Sequence, residues 1–106
     1  MVVVIMKMRA RPEKSLELKQ TLQSLIKPIL NEKGCLGYDV FENIVNENSF
    51  CLVERWDTQK NLRNHQQSDQ FAVLMGTRSL LSEEPKLMIH EGSHFENMAL
   101  KFKNRL

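Results

Sequence analysis

Two stretches of this chain are apolar on both sides of the strands they would form, and this constrains the fold more than any other feature. Residues 2 to 9, Val-Val-Val-Ile-Met-Lys-Met-Arg, begin β-branched and then alternate, which is the pattern of a strand. Within it Val2, Val4 and Met6 face one way, and Val3 and Ile5 the other. Further on, Phe50 and Leu52 alternate with Cys51 and Val53 in the same manner. Strands read like this when both faces of their sheet are covered. The helices of so short a chain supply one layer only. The sequence therefore predicts that a second copy of the chain covers the other face, through an isologous two-fold interface.

From Glu13 to about Lys33, the residues Leu18, Leu22, Leu25, Ile26 and Ile29 recur at spacings of three and four. This predicts a helix with one buried stripe and a polar face of Glu17, Lys19, Gln20 and Gln23. Pro12 precedes it and Gly34 is placed to cap its end, while Pro28, which lacks a backbone donor, predicts a kink or an offset last turn. Leu36 to Ile44 and Phe50 to Trp56 are strand-like runs around the loop Val45-Asn46-Glu47-Asn48-Ser49, which suits a hairpin. Asp57 or Thr58 offers an N-cap to a short helix through Leu62 and His65. Ser68 offers another to a helix carrying Phe71, Leu74, Met75 and about Leu81 before Pro85 stops it. Leu87 to Glu91 makes a last strand. The order predicts an α+β, ferredoxin-like βαββαβ antiparallel sheet with its helices on one face. Residues 1–93 form this domain. Residues 94–106 are a tail rather than a separate domain. There Phe95, Met98, Ala99 and Phe102, beside Lys101, Lys103 and Arg105, allow an amphipathic helix that docks on the partner subunit or rests on a membrane surface.

At 106 residues the chain buries roughly two thirds of the surface that its unfolded form exposes, so one domain folds without staples. Cys35 and Cys51 make no disulfide framework. A hairpin centred on Asn46-Glu47-Asn48 places Cys51 near Glu42 and Cys35 near Asp57 or Thr58, and the sulfurs do not meet. The net charge of +2 comes from 15 basic and 13 acidic residues mixed along the chain, without the basic stripe that binds phosphate backbones. Nucleic acid is not expected as a partner. The apolar start, Met1 to Met6, is too short to span a bilayer and lacks a basic leader, so stable membrane insertion is not expected and the location reads as cytoplasmic.

The runs Gly34-Cys35-Leu36-Gly37-Tyr38 and Glu54-Arg55-Trp56, and His65 followed by Ser68, Phe71 and a closing Pro85, resemble the antibiotic biosynthesis monooxygenase domain, a family of dimeric α+β barrels. The resemblance extends from about Val2 to Glu91, and the order and spacing of the motifs carry it. It implies a homodimer with a pocket between sheet and helices of each subunit. In the best-known branch it implies oxidation of polycyclic phenols by dioxygen, with no metal or flavin.

That chemistry is intelligible from side chains. A phenol or hydroquinone reacts with oxygen far more readily as its anion, so the site must take a proton, hold a ring and stabilise charge. His65, with an ordinary pKa of about 6.5, is the candidate catalytic base; otherwise it caps or packs at a helix end. Tyr38 and Trp56 are candidates to flank a flat substrate, although the chain's one Trp also reads as core. Arg55 is a candidate to hold an oxyanion, and Phe71 joins the substrate-binding set through the resemblance. Glu54 and Arg55 alternate across the strand, so at most one lines the pocket; the alternative for each is an intersubunit ion pair. Which of them shares a face with Tyr38 depends on the hairpin register, which the sequence leaves open.

His65, His90 and His94 lack metal-binding spacing, and the chain has no glycine-rich phosphate loop, GxSxG elbow or run fit for a flavin or nicotinamide. No cofactor or metal is expected. Haem-degrading relatives carry an Asn on the first strand, which here holds only Val, Ile, Met, Lys and Arg. The polar segment Gln66-Gln67-Ser68-Asp69-Gln70 leaves room for a smaller or sugar-like substrate. The expectation is a cofactor-independent monooxygenase acting on a small phenolic or quinol substrate. The rivals are a non-catalytic ligand-binding or structural dimer, and an isomerase or degradative enzyme for a small carbonyl signal molecule.

Overall fold

In the computed structural model, which describes residues 1–92, the apolar start of the chain forms β1 (Val2–Arg9), an inner strand of a four-stranded antiparallel sheet. The others are β2 (Cys35–Glu42), β3 (Ser49–Trp56) and β4 (Lys86–Glu91), in the order β2-β3-β1-β4. This is the expected ferredoxin-like α+β fold. The tail helix expected around Phe95, Met98, Ala99 and Phe102 lies outside the described residues.

The register sets the two faces. Val2 is opposite Trp56, Val4 opposite Glu54, Met6 opposite Leu52 and Met8 opposite Phe50, and Tyr38 lies across from Glu54 on the other side. All of these are buried beneath the helices. The hairpin closes around residues 43–48, with the Asn43 amide bonded to the Ser49 carbonyl at 2.9 Å. Cys51 therefore pairs with Phe41 and Cys35 with Trp56, about one residue from the expected register, and both cysteines are free. A bulge at Leu36 shifts the ladder between Cys35 and Gly37. Over Gly37 lies the Arg55 guanidinium, so a side chain at 37 would have to displace it.

The helix expected over residues 13–33 is interrupted. A 3-10 turn at Pro12–Lys14 leads into α1 (Ser15–Ser24), and α2 (Ile26–Leu30) follows. The break falls at Leu25, upstream of Pro28. Pro28 has no N–H to return to the Ser24 carbonyl, and its ring excludes that carbonyl, so the proline acts one turn ahead of itself. The Leu25 amide turns to the Leu22 carbonyl at 3.3 Å instead. Leu18, Leu22, Leu25 and Ile29 still make one buried stripe across the break.

Gly34 closes this segment at φ +84°, where a Cβ would be strained and would also run into Asn61 and Asp57. Its carbonyl accepts the Asp57 amide at 2.9 Å, which ties the end of α2 to the start of α3 (Gln59–His65). Thr58 caps α3, its hydroxyl accepting the Asn61 amide at 3.2 Å. Ser68 caps α4 (Asp69–Gly76) in the same way through Phe71. That helix stops short of Leu81: the Thr77 and Ser79 hydroxyls donate back to the Leu74 and Gly76 carbonyls, and a 3-10 turn (Thr77–Leu80) follows.

On the rear face stand Val3, Ile5, Cys51, Val53, Phe41 and Met88, with Phe41 56% exposed. Among the described residues no helix is long and apolar enough to cross a membrane.

Candidate functional site

Among the described residues the helices do not reach over β4, and a cavity of about 270 Å³ opens there between the sheet and α3 and α4. Val4, Met6, Leu52, Leu62, Phe71, Leu74, Met75, Leu87 and Ile89 make most of its wall. Leu87 and Ile89 remain half exposed because they face this uncovered space. Into this largely apolar lining project Glu54 from β3 and His65 from the end of α3, beside the exposed Gln66. At the rim, Arg78 donates to Glu84 at 2.7 Å.

Glu54 and His65 are 3% and 2% exposed. The Trp56 indole donates from Nε1 to Glu54 Oε1 at 3.1 Å, which fixes the carboxylate. Glu54 Oε2 lies 3.4 Å from His65 Nε2 and accepts no hydrogen bond from a described residue. On the other side of the ring, His65 Nδ1 lies 2.9 Å and 3.0 Å from the two oxygens of Glu32. Trp56 stacks on the imidazole at 4.6 Å between centroids, and Phe71 meets it edge-on at 5.5 Å. Position and orientation of the imidazole are thus set from four directions.

The charges alter the expected state of His65. Burial pulls its pKa down, but the close approach and negative charge of Glu54, followed by those of Glu32, more than offset this, and the net shift is upward. An imidazole of ordinary pKa, about 6.5, is largely neutral at neutral pH; the two carboxylates favour the imidazolium instead. Tyr38 is shifted upward too, by burial first and then by the Glu54 charge, so its phenol stays protonated. Asp57, at the start of α3, is held down mainly by the hydrogen bond from Asn61 Nδ2 at 2.9 Å.

Of the residues singled out from sequence, His65 and Phe71 line the cavity. Trp56 is fully buried behind it and braces Glu54 and His65, and Tyr38 is buried across from Glu54 with a hydroxyl that has no hydrogen-bond partner among the described residues. Arg55 is not brought to the cavity. It points to the rear face, over Gly37, and its Nη2 donates to the Leu36 carbonyl at 3.4 Å. Glu54 takes the place on the helix-facing side, because alternation gives one neighbour to each face and the register gives this one to Glu54. Glu32 was not anticipated. It sits in the turn after α2, and only the Gly34 to Asp57 tie, which folds that turn against α3, could have pointed to it.

A wider groove of about 430 Å³ lies at the far end of β1, among Lys7, Arg9, Phe41, Glu42, Glu83 and Lys86. Its mixed charges present no convergent set of groups. Among the described residues no group of three or more histidines, cysteines, aspartates or glutamates is arranged to hold a metal ion.

Residues 1–76 match the profile of the family described as Antibiotic biosynthesis monooxygenase. Over 71 residues the chain is 31% identical to YcnE of Bacillus subtilis, which by its name is a candidate monooxygenase; the match covers 67% of this chain and 75% of that protein. A conserved protein from Methanosarcina mazei superposes with a TM-score of 0.79 at 28% identity, covering 85% of this chain and 90% of its own. A candidate antibiotic biosynthesis monooxygenase from Nitrosomonas europaea superposes at 0.80 and 19% identity, covering 87% and 98%, a likeness of fold alone.

Proposed function

Because the chain belongs to the antibiotic biosynthesis monooxygenase family, we propose that it is a cofactor-independent monooxygenase that oxidises a small phenol or hydroquinone with dioxygen in the cavity beside β4. The observation that carries this reading is the pairing of a buried carboxylate with a buried imidazole in a largely apolar pocket. Such a pocket holds a ring by burial and keeps its polar groups for the one position where a proton leaves and charge develops. An engineered cavity of about 150 Å³ holds benzene, so 270 Å³ suits one or two fused rings rather than a larger polycycle. For a simple phenol the reaction balances as phenol plus dioxygen giving quinone plus water. One oxygen atom enters the ring, and the other leaves as water with two hydrogens of the substrate.

His65 is the group that this reading sets beside the reacting hydroxyl. Trp56 and Tyr38 shape the pocket from behind, and Phe71 contacts the ring. The apolar rear face supports assembly as a homodimer. Oxygen uptake on a panel of hydroquinones, compared with His65→Ala, tests the proposal. Turnover should fall by about 100-fold or more in the variant, the scale of a lost acid–base or charge-stabilising group. An unchanged rate, or no oxygen uptake by the native protein on any member of the panel, would refute it. The same carboxylate–imidazole pair also suits proton abstraction beside a carbonyl, and a product of unchanged mass formed without oxygen would identify an isomerase.

A further inference from the structure

We propose that Glu54, rather than His65, takes the substrate's hydroxyl proton on Oε2, while Glu32 holds His65 as the cation that stabilises the anion left behind. This rests on the reading of the cavity as a site for phenols and assigns the roles within it.

Both nitrogens of His65 already face carboxylates: Nδ1 faces Glu32 at 2.9 Å and Nε2 faces Glu54 at 3.4 Å. A ring protonated on both nitrogens, each turned to a carboxylate, has no lone pair to offer a substrate. Glu54 differs in that one oxygen is fixed by the Trp56 indole, while the other, buried in the cavity wall, has only the 3.4 Å contact with His65 Nε2, longer than an ordinary hydrogen bond, and so keeps a lone pair for a hydroxyl. Leaving such an oxygen unmatched is costly, and a ligand hydroxyl satisfies it. The other polar groups compete poorly. Gln66 is a neutral amide, Arg78 and Glu84 are paired with each other at the exposed rim, and Tyr38 keeps its own proton. Charge balances in the step: the hydroxyl proton passes to the Glu54 carboxylate, the O–H bond breaks, and its electron pair stays on the ring oxygen. The cluster thereby exchanges the Glu54 anion for a substrate anion beside the same imidazolium, so the buried charge is unchanged in number. That conservation is what makes the transfer feasible away from water. Glu32 is a positioning residue, since it touches His65 and not the cavity.

The test is the binding of 4-nitrophenol, whose absorption reports its own ionisation, at a pH where the free phenol is uncharged. The native protein should show the nitrophenolate band on binding. Its infrared difference spectrum should gain the carbonyl stretch of a protonated carboxyl. In Glu54→Gln, which keeps the oxygen that accepts from Trp56, both signals should vanish while binding measured by equilibrium dialysis persists. Ionisation without the carboxyl signal, or ionisation retained in Glu54→Gln, would assign the proton to His65 and overturn the proposal while leaving the phenol site intact. Failure of the native protein to bind nitrophenol would instead remove the phenol site, and the assignment with it. The infrared arm needs only the native protein, so it decides even if the variant misfolds.

Discussion

His65 is a residue whose type was legible and whose state was not. An ordinary histidine pKa and the family resemblance point to acid–base work at this position; that the ring sits between two carboxylates depends on Glu32 and Glu54, which are 33 and 11 positions away. The consequence for stability has a definite sign. Burial lowers the pKa of His65 and the two glutamates raise it further, so the folded protein holds this proton more tightly than the unfolded chain does. The resulting stabilisation is complete below the unfolded value of about 6.5 and is lost as pH rises through the higher folded value. The difference in Tm between the native protein and His65→Gln should therefore be greatest in mildly acidic buffer and shrink as the solution is made alkaline. A difference that widens with pH would contradict the cationic ring.

At the scale of elements, the caps were readable because capping chemistry is local. Thr58 and Ser68 each accept the amide three residues on, at 3.2 Å, and each starts the helix that the sequence assigned to it. Thr58→Ala should cost about 1 kcal/mol in denaturant unfolding, the ordinary loss of an N-cap, and Thr58→Ser should recover most of it. Equal stability of the alanine variant would show that tertiary contacts hold α3 without its cap. Gly34 acts between elements. Gly34→Ala would meet both a left-handed backbone and the Asp57 and Asn61 side chains, so it should destabilise the protein and shift the turn that carries Glu32. The expected signature is a lower Tm together with a lower His65 pKa by NMR titration, since the turn supplies one of the two carboxylates. An unaltered titration would mean that Glu32 is held by something other than the turn.

At the scale of the whole molecule, a sheet that is apolar front and back has, among the described residues, helices on one side only. Val53 and Phe41 stand on the uncovered face, which in the proposed homodimer meets its equivalent across a two-fold axis. Sedimentation velocity should return the mass of two chains, and Val53→Asp should return that of one, because burying an unpaired carboxylate at the centre of the interface is unfavourable. A native protein that sediments as a single chain at micromolar concentration would sink the dimer.

Local rules carried much of this fold. Alternation identified the strands, the spacing of Leu18, Leu22 and Ile29 identified the helical stripe, and Thr58 and Ser68 marked where helices begin, because each depends on neighbours within a few positions. Even Pro28 was legible in kind, and only the site of its effect, one turn upstream, had to be seen. The choice between Glu54 and Arg55 was decided by tertiary structure alone, since a shift of one residue in register exchanges the two faces of a strand. The recruitment of Glu32 was decided in the same way: its distance from His65 is set by how a glycine turn packs on a helix, and no period in the sequence encodes that contact.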